Sequence, residues 1–262
     1  KKVREKKVKM DSVFFACLKK ENKILVRTHA FFTNCVIVNL LWPGILLVMY
    51  ILQSGNGFLN SFREVYQSGR VLSDVIMLMI VAGLAMLVTA ANSIASSAFT
   101  REGTHLEFMK YIPATYRQQI HAKAVLSILY SFFSARLNLW ILNGIFGFGA
   151  LKMIYFTLIT IFCVVFITFL GITMDSVNPK LIWEDELNAL RGNLNVFYNM
   201  ALAIAATMIL CASGYLLYRI ESLGTIAIYM IYQILLVVAA ALMYWFGMKK
   251  SVKNLGKLLD FN

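Results

Sequence analysis

Long apolar runs broken by short basic stretches dominate the hydrophobic pattern of this chain. Six runs, roughly 29–52, 73–98, 120–147, 152–174, 196–218 and 224–247, exceed the ~20 apolar residues that cross a bilayer as helix. They predict an all-α integral membrane protein: a basic segment with an interfacial helix over 1–28, a six-helix transmembrane domain over 29–247 and a tail over 248–262. Ahead of the first span, Val13, Phe14, Cys17, Leu18, Ile24 and Leu25 alternate with Lys19, Lys20, Glu21, Lys23 and Arg27. That pattern suits an amphipathic helix among lipid headgroups, or else a solvated basic tail. Trp42-Pro43-Gly44 at mid-depth of the first span predicts a bend near Asn39 to Gly44. Small residues at helical spacing in the second, Ala91 with Ala95 and Ser93 with Ser97, predict close helix packing. The loop from Gln53 to Leu72 has room for a short helix over Phe58 to Tyr66.

Between the second and third runs lies a polar stretch, Ser96 to Gln118. Thr104 with Glu107 has capping-box spacing and predicts a helix over 104–112, with Leu106, Met109 and Pro113 on one side and Glu102, Glu107 and Lys110 keeping the rest polar. Pro113 ends it, since proline has no amide proton and clashes with the preceding turn. Thr115 with Gln118 repeats the box and opens the third span. From spacing alone, a plain loop with one helical turn fits this stretch equally well.

Composition agrees with the spans. Apolar residues make up 60% of the chain and mean hydropathy is +0.70, above the ~45–50% apolar share of soluble domains. The formal charge of +12 is no nucleic-acid signature, because the basic residues sit between apolar runs. Residues 1–28, the loops after the second and fourth spans and the tail hold 20 Lys and Arg; the opposite side holds Arg63, Arg70, Lys152 and Arg219. The positive-inside rule puts both termini in the cytoplasm. Arg136 stands apart, deep in the third span. A charge there costs about 2.5–3.5 kcal/mol, so it faces the bundle interior or a wet cavity, or else snorkels to an interface. Cys17, Cys35, Cys163 and Cys211 have neither disulfide nor zinc spacing. His29, His105 and His121 are far apart, which speaks against an intramembrane metalloprotease. With no Gly-X-X-X-X-Gly-Lys-(Ser/Thr) in the chain, ATP hydrolysis falls to another subunit if ATP drives the protein. No catalytic, cofactor-binding or metal-ligating set emerges.

Met174 to Asn193 gathers acids around one tryptophan. Glu184, Asp185 and Glu186 are consecutive, so on a helix their side chains diverge and cannot converge on one ion. They are expected at a solvated helix start, where the dipole favours negative charge.

Two stretches carry a family resemblance. The Ser/Ala-rich end of the second span, then Arg101-Glu102-Gly103, then an apolar-aromatic segment with Leu106, Phe108, Met109 and Lys110, then Ile112-Pro113-Ala114-Thr115, resembles the first intracellular loop of type-2 ABC exporter permeases. The second, Asp175-X-X-Asn178-Pro179-Lys180-Leu181-X-Trp183-X-X-Glu186, followed by Ala189, Arg191 and Asn193, resembles the matching loop of a bacterial subgroup of that family. Lys20-Glu21-Asn22-Lys23-Ile24-Leu25-Val26-Arg27 is similar to its interfacial elbow helix. The resemblance implies a permease in the bacterial cytoplasmic membrane, working by alternating access. Residues 101–113 would be the coupling helix that docks on an ABC ATPase subunit carrying ATP and Mg, and a second six-helix permease half would complete the transporter. That half is covalent in the subgroup, where the Asn-Pro-Lys-Leu-X-Trp loop belongs to the second half; with no Met at its start, this chain is expected to be the C-terminal half of a longer permease. A half-size subunit that pairs with a second copy is the alternative. Two functions of other classes remain open: a membrane scaffold or assembly factor, and an ion-coupled carrier, which calls for more buried ionisable groups than Arg136 alone. The transported substrate is not written in the sequence.

Overall fold

The computed structural model describes residues 12–53, 57–220 and 224–260, so the basic run at 1–10 falls outside the described residues. Helix α1 (Val13–Arg27) precedes six helices long and apolar enough to cross a membrane. These are α2 (His29–Gln53), α4 (Val71–Ala91), α5 (Tyr116–Phe146), α6 (Ala150–Val177), α7 (Leu194–Tyr218) and α8 (Thr225–Asp260). A short α3 (Gly57–Gln67) lies between the first two spans, where the sequence leaves room for it. The chain is a multi-pass membrane protein, all-helical among the described residues.

Helix α4 is the hub. Val75, Leu78, Val81, Ala82 and Ala85 are buried against residues of α5, α6, α7 and α8, including Leu139, Phe156, Ile159, Ala203 and Tyr232. By contrast α2 and α7 expose most of their apolar side chains, Leu41, Val48 and Ile51 or Met208, Ile209 and Leu216 among them. In a bilayer those side chains meet acyl chains of similar polarity. At one end of the bundle Tyr66 of α3 packs on Phe146 and Phe148, and Lys152 reaches Asp74 at 2.6 Å. The opposite end gathers α1, residues 92–115 and residues 178–193.

Several expectations need correcting at that second end. The span expected over 73–98 stops at Ala91: the Asn92 side chain accepts the Ile94 amide at 3.0 Å, and Ser93 turns to φ 58°. A short polar side chain has thus outbid the helix for its backbone donor. The α-helix expected over 104–112 is a 3-10 segment, Thr100–Lys110, broken at Gly103. No Thr104–Glu107 capping bond forms among the described residues, whereas the Thr115–Gln118 box is complete. Glu184, Asp185 and Glu186 occupy bends and turns instead of a helix start; α7 begins at Leu194, capped by Asn193. From Met248 to Asp260, in the stretch expected as a tail, α8 continues without a break.

Pro43 leaves a mark of another kind. Lacking an amide, it frees the Asn39 carbonyl one turn back, and Ser134 Oγ of α5 donates to that oxygen. Asn92 Nδ2 donates to Asn39 Oδ1 at 3.1 Å and Ser131 Oγ at 2.7 Å, tying α2, α4 and α5 together. Helix α2 stays helical through Pro43, and the irregularity sits earlier, in a π-turn over Phe32–Ile37.

Candidate functional site

Four charged side chains from three elements meet beneath α1. Lys123, 2% exposed on α5, donates to Glu21 Oε1 at 2.7 Å, Glu102 Oε1 at 2.7 Å and the Ala98 carbonyl at 2.9 Å. Those three bonds saturate the ammonium. Lys20 closes the cluster from its wetter side, reaching both Glu102 oxygens at 2.7 and 2.9 Å. Burial pushes the Glu102 carboxyl up, but Lys123 and Lys20 outweigh it and hold the group well below the ordinary carboxylate range. For Glu21, burial prevails over the pull of Lys123 and the pKa is raised. The two acids share one buried lysine, and the one that Lys20 also bonds through both oxygens is held down while the other is raised.

The sequence gives no warning of this cluster. Glu21 shares a face with Cys17 and Leu25, both buried, so it lies on the packed stripe of α1 and not, as expected, on the polar one. Lys123 lies inside α5 between Ala122 and Ala124, both buried with it.

A second set of bonds joins the two polar stretches. Asp175, fully buried at the end of α6, accepts from the Phe99 amide at 2.6 Å, the Thr100 amide at 3.0 Å and hydroxyl at 2.6 Å, and Asn195 Nδ2 at 3.0 Å. Thr100 Oγ1 accepts in turn from the Lys180 amide at 3.1 Å and Asn193 Nδ2 at 3.3 Å. Trp183 Nε1 donates to the Thr100 carbonyl at 3.0 Å. Gly103 makes this fit possible. Its φ of 55° and ψ of −138° suit glycine, and a Cβ there would stand 2.7 Å from the Trp183 ring. Arg101, also buried, donates to the Ile94 carbonyl and Ser97 Oγ, each at 2.7 Å, and pins residues 94–97 beneath it.

Below the 3-10 segment, Leu106 and Met109 pack with Phe99, Ile120, Leu255 and Leu259, and Lys110 Nζ donates to the Leu259 carbonyl at 3.3 Å. Leu106 and Met109 are only 2% and 1% exposed, covered by the chain's own helices. The apolar side chains that do face outward are Phe108 at 60%, Tyr111 at 78% and, from the second loop, Ile182 at 85%. Pro113 is exposed. Asn178 offers its carbonyl to Asn195 Nδ2 at 2.8 Å, with Pro179 half-buried beside it. Glu186 and Arg191 lie apart from the Thr100 hub, in a cavity of about 670 Å³ shared with Arg27 and His29. Arg136 is remote: half-buried, it donates to Thr157 of α6 and lies 5.5 Å over the Trp140 ring.

No protein-family model matches this chain, and neither a curated protein nor a solved structure does so.

Proposed function

We propose that this chain is the permease subunit of an ATP-driven type-2 ABC exporter in the bacterial cytoplasmic membrane, with both termini and the α1 end of the bundle in the cytoplasm. ATP and Mg belong to a separate ATPase subunit, and a second six-helix half completes the translocation path. One observation carries the reading: the two stretches that resemble the family's cytoplasmic loops, some 80 residues apart in sequence, converge on Thr100.

A motor must move spans it does not touch, so the part it pushes has to be rigid and tied to several of them. Residues 99–110 meet that need. They are joined to α6 through Asp175, to α5 and α1 through the Lys123 cluster, and to the end of α8 through Leu106, Met109 and Lys110. Phe108 and Tyr111 are the outward apolar anchors left for the ATPase, with His105 lying 5.7 Å from the Phe108 ring. Closure of the motor would then tilt four helices together, a shift between two packings of the bundle. Affinity purification of the chain from its own membrane, followed by peptide sequencing, tests this. An ATPase with a P-loop should co-purify and be lost with Phe108→Ala plus Tyr111→Ala. Recovery of a partner without one would favour the scaffold reading instead.

A further inference from the structure

We propose that the cleft between the start of α5 and the far part of α8 binds the headgroup of one anionic phospholipid, its phosphate between Arg117 and Lys249. The two cations reach one level from opposite chain directions. Lys249 is the first charged residue of α8, where its long apolar run ends, and Arg117 stands one residue inside the start of α5. Both mark the edge of the hydrocarbon, the level at which lipid phosphates lie. A cavity of about 350 Å³ opens between them, closed on its inner side by Tyr244 and Met248.

The floor of the cleft is fixed. His121 Nε2 and the Tyr244 hydroxyl lie 3.0 Å apart and join α5 to α8, and the Tyr244 ring stands edge-on to Phe169 of α6 with centroids 5.0 Å apart. The rim is open and basic. Arg117 and Lys249 are exposed, and among the described residues neither forms an ion pair. Helix α5 carries no Asp or Glu, and the one acid of α8, Asp260, lies roughly 16 Å further along the axis from Lys249. Lys253, exposed one turn beyond, adds charge of the same sign. A headgroup with net negative charge complements this rim, whereas a zwitterionic one brings its own ammonium. The face below decides for a lipid over a soluble anion. Trp245, Leu242 and Val238 share one side of α8 and are 62%, 61% and 50% exposed. They lead from the cleft into the apolar run, so an acyl chain continues along them from the phosphate, with the indole at headgroup level. Lys249 Nζ lies 5.3 Å over that indole, which keeps the ammonium at the mouth of the cleft. Size argues against a helix from a second copy, since at ~10 Å across and 5.4 Å rise a single turn would overfill 350 Å³.

Native mass spectrometry of the purified chain, mixed with equal amounts of phosphatidylglycerol and phosphatidylcholine, reads this directly and does not depend on the transport reading. At least one phosphatidylglycerol should be retained about tenfold in preference, the equivalent of ~1.4 kcal/mol. Arg117→Gln with Lys249→Gln, both at exposed positions, should lower the number of phosphatidylglycerols retained by one and leave the melting temperature unchanged. Lys249→Arg should keep the full number. A photoactivatable phosphatidylglycerol should mark peptides that contain Leu242 or Trp245. An unchanged number in the double variant, or labelling confined to other helices, overturns the proposal. So does displacement of that lipid by an equal concentration of inorganic phosphate, which would make the cleft a site for a soluble anion.

Discussion

Glu21 and Glu102 share one lysine yet respond to pH with opposite sign. Glu102 is held below its ordinary value of 4.5, so its contribution to stability is complete above that pH and is lost as pH falls through the depressed folded value. Glu21 is raised above 4.5: the folded chain keeps a proton that the unfolded chain has released, and stability declines as pH rises from 4.5 through the folded value. Glu21→Gln should remove that decline and leave the acid limb intact. Thermal melting against pH in detergent checks it, and an unchanged decline would mean the proton sits elsewhere. Lys123→Met is the harsher change. It removes the ammonium that Glu21 and Glu102 share in a buried site, and breaking a buried pair costs about 3–5 kcal/mol. A large drop in melting temperature is expected, partly recovered by adding Glu21→Gln. Nothing in the sequence ranks these residues, because a Lys beside a span border and a Glu on a basic helix read equally well as solvated charges.

At the scale of the element, Asp175 is to the 3-10 segment what a capping residue is to a helix. Two backbone amides and a hydroxyl depend on its carboxylate. Hydrogen bonds to a charged partner contribute about 1.5–3 kcal/mol each, and Asp175→Asn puts an amide group where only acceptors fit. Exchange of the Phe99 and Thr100 amides should then quicken at least tenfold, equivalent to ~1.4 kcal/mol of local opening. Wild-type exchange rates in the variant would mean that other contacts hold the loop. Gly103→Ala tests the neighbouring constraint through backbone strain of about 1–3 kcal/mol and collision with Trp183. Its melting temperature should fall even in a Trp183→Ala background, since the backbone conformation stays unfavourable. The spans were legible in the sequence because a bilayer demands length and apolarity of each helix. Where the second one ends was not, since Ser93 to Ala98 is apolar enough to continue a helix and only the reach of Asn92 to the Ile94 amide stops it.

For the molecule as a whole, the transport reading predicts that two faces of one short segment fail differently. Leu106→Ala with Met109→Ala opens space in a core shared with α5 and α8, and large-to-small changes of this kind cost about 2–5 kcal/mol each. That pair should lower the melting temperature of the isolated chain. Phe108→Ala with Tyr111→Ala should leave melting unchanged and weaken ATPase assembly, where truncating central anchors typically costs ~2 kcal/mol or more. The reverse result, a stable first pair and an assembly-competent second, would remove this segment from the interface. Sequence periodicity found the face of Leu106 and Met109 but not its partner, because an apolar stripe looks the same whether it meets the chain's own helix or a foreign groove.

The unbroken run of α8 adds a mechanical consequence. Its 36 residues span about 54 Å, well beyond the ~30 Å of a hydrocarbon core. The last 13, from Met248 to Asp260, project roughly 20 Å as a stiff lever. Transmembrane helices tilt over a range of about 0–40°, and a change of only ~10° would sweep the lever's tip some 3.5 Å sideways. Leu259 rides on that tip with Lys110 bonded to its carbonyl, so a small rotation inside the membrane becomes a displacement of several ångströms at the surface where Phe108 and Tyr111 stand.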